Sequence, residues 1–220
     1  MLSAMAYRFI IADDHPLFRA ALKPALCGVD ADADIAEADT LSSVLSALEI
    51  DSDRDLLLLD LAMPDSVGYT GLIEVRHRFP SIGVAIVSAQ EDVVVMHQSI
   101  ALGAVAFIPK SAALPTIVEA LQTALSGVTW LPEVARHIAQ TEADTALAER
   151  IAALSPQQYR VLCMVADGKL NKQIAYDLNV QETTIKQHVS AVLRKLGLIN
   201  RTQAGVLLKS LQRAGRLATD

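Results

Sequence analysis

The stretch "DLLLLDLAMP" (residues 55–64) runs four leucines into an aspartate, Asp60. An apolar run this short, bounded by polar residues, reads as a strand buried on both faces, the pattern of a parallel sheet covered by helices. A carboxylate closing such a strand stands where open α/β sheets bind their ligands. Outward from it, "YRFIIADD" (7–14), "GVAIVSA" (83–89) and "AVAFIPK" (104–110) repeat the pattern, and the weaker "ADIAEA" (33–38) falls where the alternation requires a strand. Helical patterns lie between them. Leu41, Val44, Leu45 and Leu48 recur at i, i+3, i+4, i+7 behind Asp39 and Thr40, which can cap a helix. The others are "PLFRAALKPAL" (16–26), "GLIEVRHRF" (71–79), "EDVVVMHQSIAL" (91–102) and "LPTIVEALQTAL" (114–125). Five strands alternating with five helices predict a doubly wound, flavodoxin-like five-stranded parallel sheet.

Charge divides the 220-residue chain. Residues 1–130 carry 7 Lys and Arg against 17 Asp and Glu, whereas residues 151–220 carry 10 against 4. An acidic front and a basic back imply different partners for each. The sequence therefore divides into 6–126, a partly helical linker at 127–150 and a separate all-α domain of four helices at 151–220. Cys27 and Cys163 lie far apart with no second ligand at metal spacing, which favours reduced thiols over a disulfide or zinc site. No apolar run approaches the roughly 18 residues of a membrane span, and no basic leader precedes an apolar stretch. The expectation is a soluble cytoplasmic protein with no membrane partner.

Asp13 and Asp14 close the first strand, Asp60 the third, Ser88 the fourth and Lys110 the last, so all fall on one rim. Any one of them alone could simply cap a strand or start a turn. Together, three carboxylates repel one another unless a cation joins them, and oxygen ligands with room for water suit Mg2+. A carboxylate, a hard divalent ion, a lysine and a hydroxyl are what phosphoryl transfer to an aspartate needs, with Asp60 the central candidate for nucleophile.

The motifs "ADDHP", "LLLLDLAMP", "VAIVSA" and "FIPKS" resemble the receiver domain of bacterial response regulators over residues 6–126. That resemblance implies Asp60 as phosphoacceptor, and Mg2+ held by Asp13, Asp14, Asp60 and the backbone carbonyl of Ala62. It also implies Ser88 bonding the phosphoryl group, Lys110 pairing with it, and Ser88 with Phe107 as the switch pair, the ring turning inward on phosphorylation. In "MPDSVGYTGLIEV" the loop after Asp60 is about three residues longer than the family's. Val93, Val94 and Val95 form either core or a sticky exposed face. A rival, a phosphohydrolase of the haloacid dehalogenase type, wants a second Asp two residues after the first; Ala62 stands there, so no enzyme is expected.

In "NKQIAYDLNVQETTIKQHVSAVLRKLG" (171–197), Ile174, Ala175 and Leu178 give one apolar face and Ile185, Val189, Val192, Leu193 and Leu196 another, joined by a short turn: a helix-turn-helix. Lys186, Gln187, Ser190 and Arg194 then point outward, where Gln can pair adenine and Lys can reach guanine in a major groove. Lys172, His188, Lys195 and Arg201 suit phosphates, and Thr184 completes the expected DNA-binding set. Gln181 is a poor cap, so the helix is expected to begin at Thr183 or fray. The segment over about residues 152–216 resembles the LuxR-type helix-turn-helix of the NarL/FixJ subfamily, with "TIKQH", "LRKLG" and "NRTQA" as its markers. This implies promoter DNA, a cognate histidine kinase and a homodimer paired through the last helix near Leu207, Leu208 and Leu211.

Overall fold

The computed structural model describes residues 6–136 and 142–214, in two compact units, Met1–Ile138 and Ala139–Asp220. The first unit runs β1 (Arg8–Ala12), α1 (Pro16–Val29), β2 (Asp34–Ala38), α2 (Leu41–Ile50), β3 (Leu56–Asp60), α3 (Thr70–Arg78), β4 (Gly83–Ser88), α4 (Val93–Ala101), β5 (Ala106–Pro109), α5 (Leu114–Leu125) and α6 (Glu133–Arg136). The strands pair in parallel in the order β2-β1-β3-β4-β5, as the sequence leads one to expect. Strand order reverses between β1 and β3, and the crevice at such a switch point opens at their carboxyl ends.

The leucine run is what holds that crevice in place. Leu56 and Leu58 face a core built with Phe9, Ile11, Ala85 and Val87 against Leu22 and Leu26 of α1 and Ile117 and Leu121 of α5. Leu57 and Leu59 alternate to the other face, where Leu41 of α2 and Leu59 approach so closely that a Cβ at Gly71 would meet both at 3.4 Å. Each buried leucine contributes about 2 kcal/mol, which together offsets the repulsion of carboxylates gathered at the strand ends. Of the three valines, Val95 is buried in the core while Val94 is 44% exposed.

Residues 127–150 are divided between the two units. Trp130 is buried beside β5, its N–H donating to the Val105 carbonyl and its carbonyl accepting from Phe107 N–H, both at 3.1 Å. This covers a sheet edge that would otherwise present unpaired backbone groups. Pro109, farther along the same strand, has no N–H to leave unsatisfied.

The second unit comprises α7 (Glu142–Ala152), α8 (Pro156–Ala166), α9 (Asn171–Asp177), α10 (Glu182–Leu196) and α11 (Arg201–Ala214). Helix α10 packs on α7, α8 and α9, and α11 on α8, around Tyr159, Leu162, Ile174, Ile185, Val192, Leu196 and Leu208. Ser155 and Gln158 form a capping box for α8. The turn into α10 is made by Asn179 at φ 52°, a conformation asparagine tolerates better than most residues. Helix α10 begins at Glu182 without a side-chain cap from Gln181; the fully buried Ile185 in its first turn anchors the start instead. Leu208 is committed to its own unit, Val206 is 64% exposed, and Leu211 lies outside the described side chains.

Candidate functional site

Asp60 ends β3 with only 2% of its surface exposed. Its Oδ2 accepts from Lys110 Nζ at 2.9 Å and its Oδ1 from the Ala62 N–H at 3.2 Å. Lys110 is placed by its own backbone, whose N–H donates to the Ser88 carbonyl at 2.8 Å just beyond the β4–β5 ladder. Asp13 follows β1 and extends the ladder by one bond to the Ala38 carbonyl, which fixes its buried side chain on the same rim. Lys110 Nζ lies 2.6 Å from Asp13 Oδ2, so one ammonium serves two buried carboxylates. Burial alone would lower the Lys110 pKa, but close contact with the Asp13 and Asp60 carboxylates and their charge raise it above the ordinary lysine value. Ser88 is buried, its Oγ accepting from the Gln90 N–H at 3.1 Å. Phe107 is fully buried and absent from the α1/α5 core, hence on the sheet face toward α2–α4. The described residues thus bring Asp13, Asp60 and Lys110 together directly, and leave Ser88 and Phe107 on neighbouring strands.

Two observations bear on a metal. Ligand atoms of Asp13, Asp14, His15 and Asp60 all lie within 4.8 Å of one another. Asp13 Oδ2 and Asp14 Oδ1 are buried and make no hydrogen bond, although Lys110 Nζ and His15 Nδ1 lie 2.6 Å and 2.8 Å away. These short contacts are off hydrogen-bond geometry; Lys110 supplies charge, but the oxygen lone pairs stay unclaimed. Three carboxylates facing one ammonium fit a hard, oxygen-seeking divalent cation.

Four residues with ties to this region escape a reading of spacing alone. His15 follows the aspartate pair, and its N–H donates to Asp13 Oδ1 at 2.9 Å, so the "DDHP" order held the signal. Arg19, one turn into α1, donates to the Asp13 carbonyl at 2.7 Å. Asp65 and Tyr69, in the loop after β3, reach α2 and α4 and carry no local signal.

In the second unit, Lys186, Gln187, Ser190, Ala191 and Arg194 line one open depression on α10. Lys172 is exposed on α9, in a second depression with Lys169 and Tyr176. Thr184 and His188 are half-buried. Two of the expected phosphate ligands bond within the unit: Lys195 Nζ donates to the Ala153 carbonyl at 2.7 Å and to Gln158 Oε1 at 2.8 Å, and Arg201 donates to Asn171 Oδ1 at 2.8 Å and to the Lys169 carbonyl. Glu182 pairs with Lys186 at 3.0 Å across one helical turn, a contact that the i, i+4 spacing could have disclosed.

The chain matches the family model of the response regulator receiver domain over residues 9–122, and that of the bacterial regulatory proteins of the luxR family over residues 152–208. It is 41% identical over 208 residues to a glycerol metabolism activator of Pseudomonas putida, covering 90% of this chain and 93% of that one. It is 30% identical over 203 residues to the nitrate/nitrite response regulator protein NarL of Escherichia coli K12, covering 90% and 92%. Among solved structures, one of two RcsB dimers bound to two parallel DNAs superposes with a TM-score of 0.54 at 26% identity, covering 93% of this chain and 98% of that one.

Proposed function

Since the chain belongs to the LuxR family of DNA-binding response regulators, transcription regulators rather than enzymes, we propose that phosphorylation of Asp60 controls its pairing on promoter DNA. The observation that carries this reading is the Asp60 carboxylate, buried at the switch point and bonded at 2.9 Å to Lys110. An Asp60 oxygen attacks the phosphorus of a phosphohistidine on a cognate histidine kinase, or of a small acyl phosphate donor. The new P–O bond forms as the bond to the imidazole or donor oxygen breaks. Lys110 neutralises charge on the transferring group without itself giving up a proton. Bound Mg2+, held by Asp13, Asp14, Asp60 and the Ala62 carbonyl, would supply further positive charge toward the phosphoryl oxygens. Ser88 then bonds the phosphoryl group, with Phe107 as its partner in the switch.

On the DNA side, the helix carrying Lys186, Gln187, Ser190 and Arg194 enters the major groove, with Thr184 and His188 alongside and Lys172 on the phosphates. Lys195 and Arg201 brace the unit and reach phosphate only by exchanging their internal partners. A homodimer doubles this footprint on paired half-sites. The reading places the protein in the cytoplasm, where kinase, Mg2+ and DNA meet; no helix among the described residues is long and apolar enough to cross a membrane. Phos-tag electrophoresis after acetyl phosphate and Mg2+ treatment tests it: wild type gives one retarded band and Asp60→Asn none. A band persisting in Asp60→Asn, or none in wild type, contradicts the reading.

A further inference from the structure

The nine residues between β3 and α3, Leu61 to Tyr69, form a strap tied at three points. Leu61, Met63, Ser66 and Tyr69 all face inward. At its start, the Ala62 N–H donates to Asp60 Oδ1. At its middle, Asp65 accepts from the N–H groups of Leu41 and Ser42 at 2.7 Å and 2.8 Å and from the Ser42 hydroxyl, fastening the strap to α2. Gly68, at φ 56°, turns the chain in a conformation that favours glycine. At its end, the Tyr69 hydroxyl donates to Gln98 Oε1 at 3.0 Å and lies 3.5 Å from the Val95 carbonyl, both on α4.

Burial, aided by the charge of Asp92, raises the Tyr69 pKa well above the ordinary tyrosine value, so the hydroxyl stays a donor. A buried hydroxyl that loses its acceptor forfeits its solvation with nothing in return, so strap and helix resist moving independently. Phosphorylating either oxygen of Asp60 changes the charge that the Ala62 N–H meets, and the strap begins at that N–H. We propose that Tyr69 is a positioning residue that carries the state of Asp60 to α4 through its bond to Gln98. This route is separate from Ser88 and Phe107, because no residue of β4 or β5 takes part in it, and it rests on Asp60 being the phosphoacceptor.

Full-length protein is treated with acetyl phosphate and Mg2+, labelling is read on Phos-tag gels, and amide exchange of α4 peptides is followed by mass spectrometry. In wild type, labelling changes exchange across α4. In Tyr69→Phe and, from the other end of the bond, Gln98→Leu, labelling reaches the wild-type extent but the α4 response falls to less than half. Combining the two substitutions produces no further loss. A full α4 response in both labelled single variants overturns the proposal, and so does labelling that falls in step with the response, which would make Tyr69 a mere structural prop of the site. Wild type that labels without any α4 response sinks the proposal and leaves the phosphoacceptor intact. Wild type that does not label removes both.

Discussion

Lys110 stands between two carboxylates that are almost wholly buried, and its removal leaves both without a counter-charge. Breaking a buried pair from one side costs about 3 kcal/mol, the lower end of the range because the ammonium keeps some contact with water. Lys110→Met is expected to lower the melting temperature in metal-free buffer. Asp60→Asn, which takes one charge out of a crowded anionic cluster, is expected to raise it. Millimolar Mg2+ is expected to recover part of the Lys110→Met loss and to stabilise Asp13→Asn less than wild type, because a ligand that binds the folded state alone adds stability by mass action. Thermal melts with and without Mg2+ check all three. The sign of the pH dependence follows from the raised Lys110 pKa: its contribution is fully present below the ordinary lysine value and is lost as pH climbs through the higher folded value. The Lys110→Met deficit therefore holds at neutral pH and disappears only in strong alkali.

Helix α2 has two caps of different origin. Thr40 and Ser43 form a capping box that is local and legible, whereas Asp65 reaches the same N-terminus from 24 residues away. Burial would raise the Asp65 pKa, but the N–H groups of Leu41 and Ser42 and the Ser42 hydroxyl outweigh it and lower it. Its contribution is thus present above the ordinary aspartate range and lost as pH falls through the depressed value. Asp65→Ala is expected to cost about 1 kcal/mol at neutral pH, the usual worth of a cap, and to flatten the acid limb of the stability curve; urea titrations at several pH values measure both. The contrast explains what the sequence disclosed. Continuous runs such as Leu56–Leu59 and the spacing of Leu41, Val44 and Leu48 are set by local periodicity, and four of the five strands could be read from such runs, β2 only from the alternation that requires it. Asp65, Tyr69 and Trp130 act through partners distant in sequence, so their roles depend on packing that no short window contains. Lys195 and Arg201 were legible as cations and not as braces, since a long side chain chooses its acceptor only after the helices have packed.

Across the whole molecule, charge separates the two activities: the chain is strongly acidic through residue 130 and basic from 151 onward. DNA binding through the basic unit releases counterions, so affinity is expected to fall steeply with salt. Lys172→Ala should weaken binding to all sequences alike and reduce the salt slope by about 1, while Lys186→Ala should cost about 1–3 kcal/mol and relax discrimination at one base position. Fluorescence anisotropy on full-length protein, over a salt series and a panel of operator variants, separates the two effects. In the proposed function, what joins the halves is phosphoryl transfer at the end of β3. Borohydride capture after acetyl phosphate treatment converts an aspartyl phosphate to homoserine, which peptide mass spectrometry locates in the chain. Homoserine at position 60 and at no other aspartate is the expected result; homoserine at Asp13, Asp14 or elsewhere, with Asp60 intact, contradicts it.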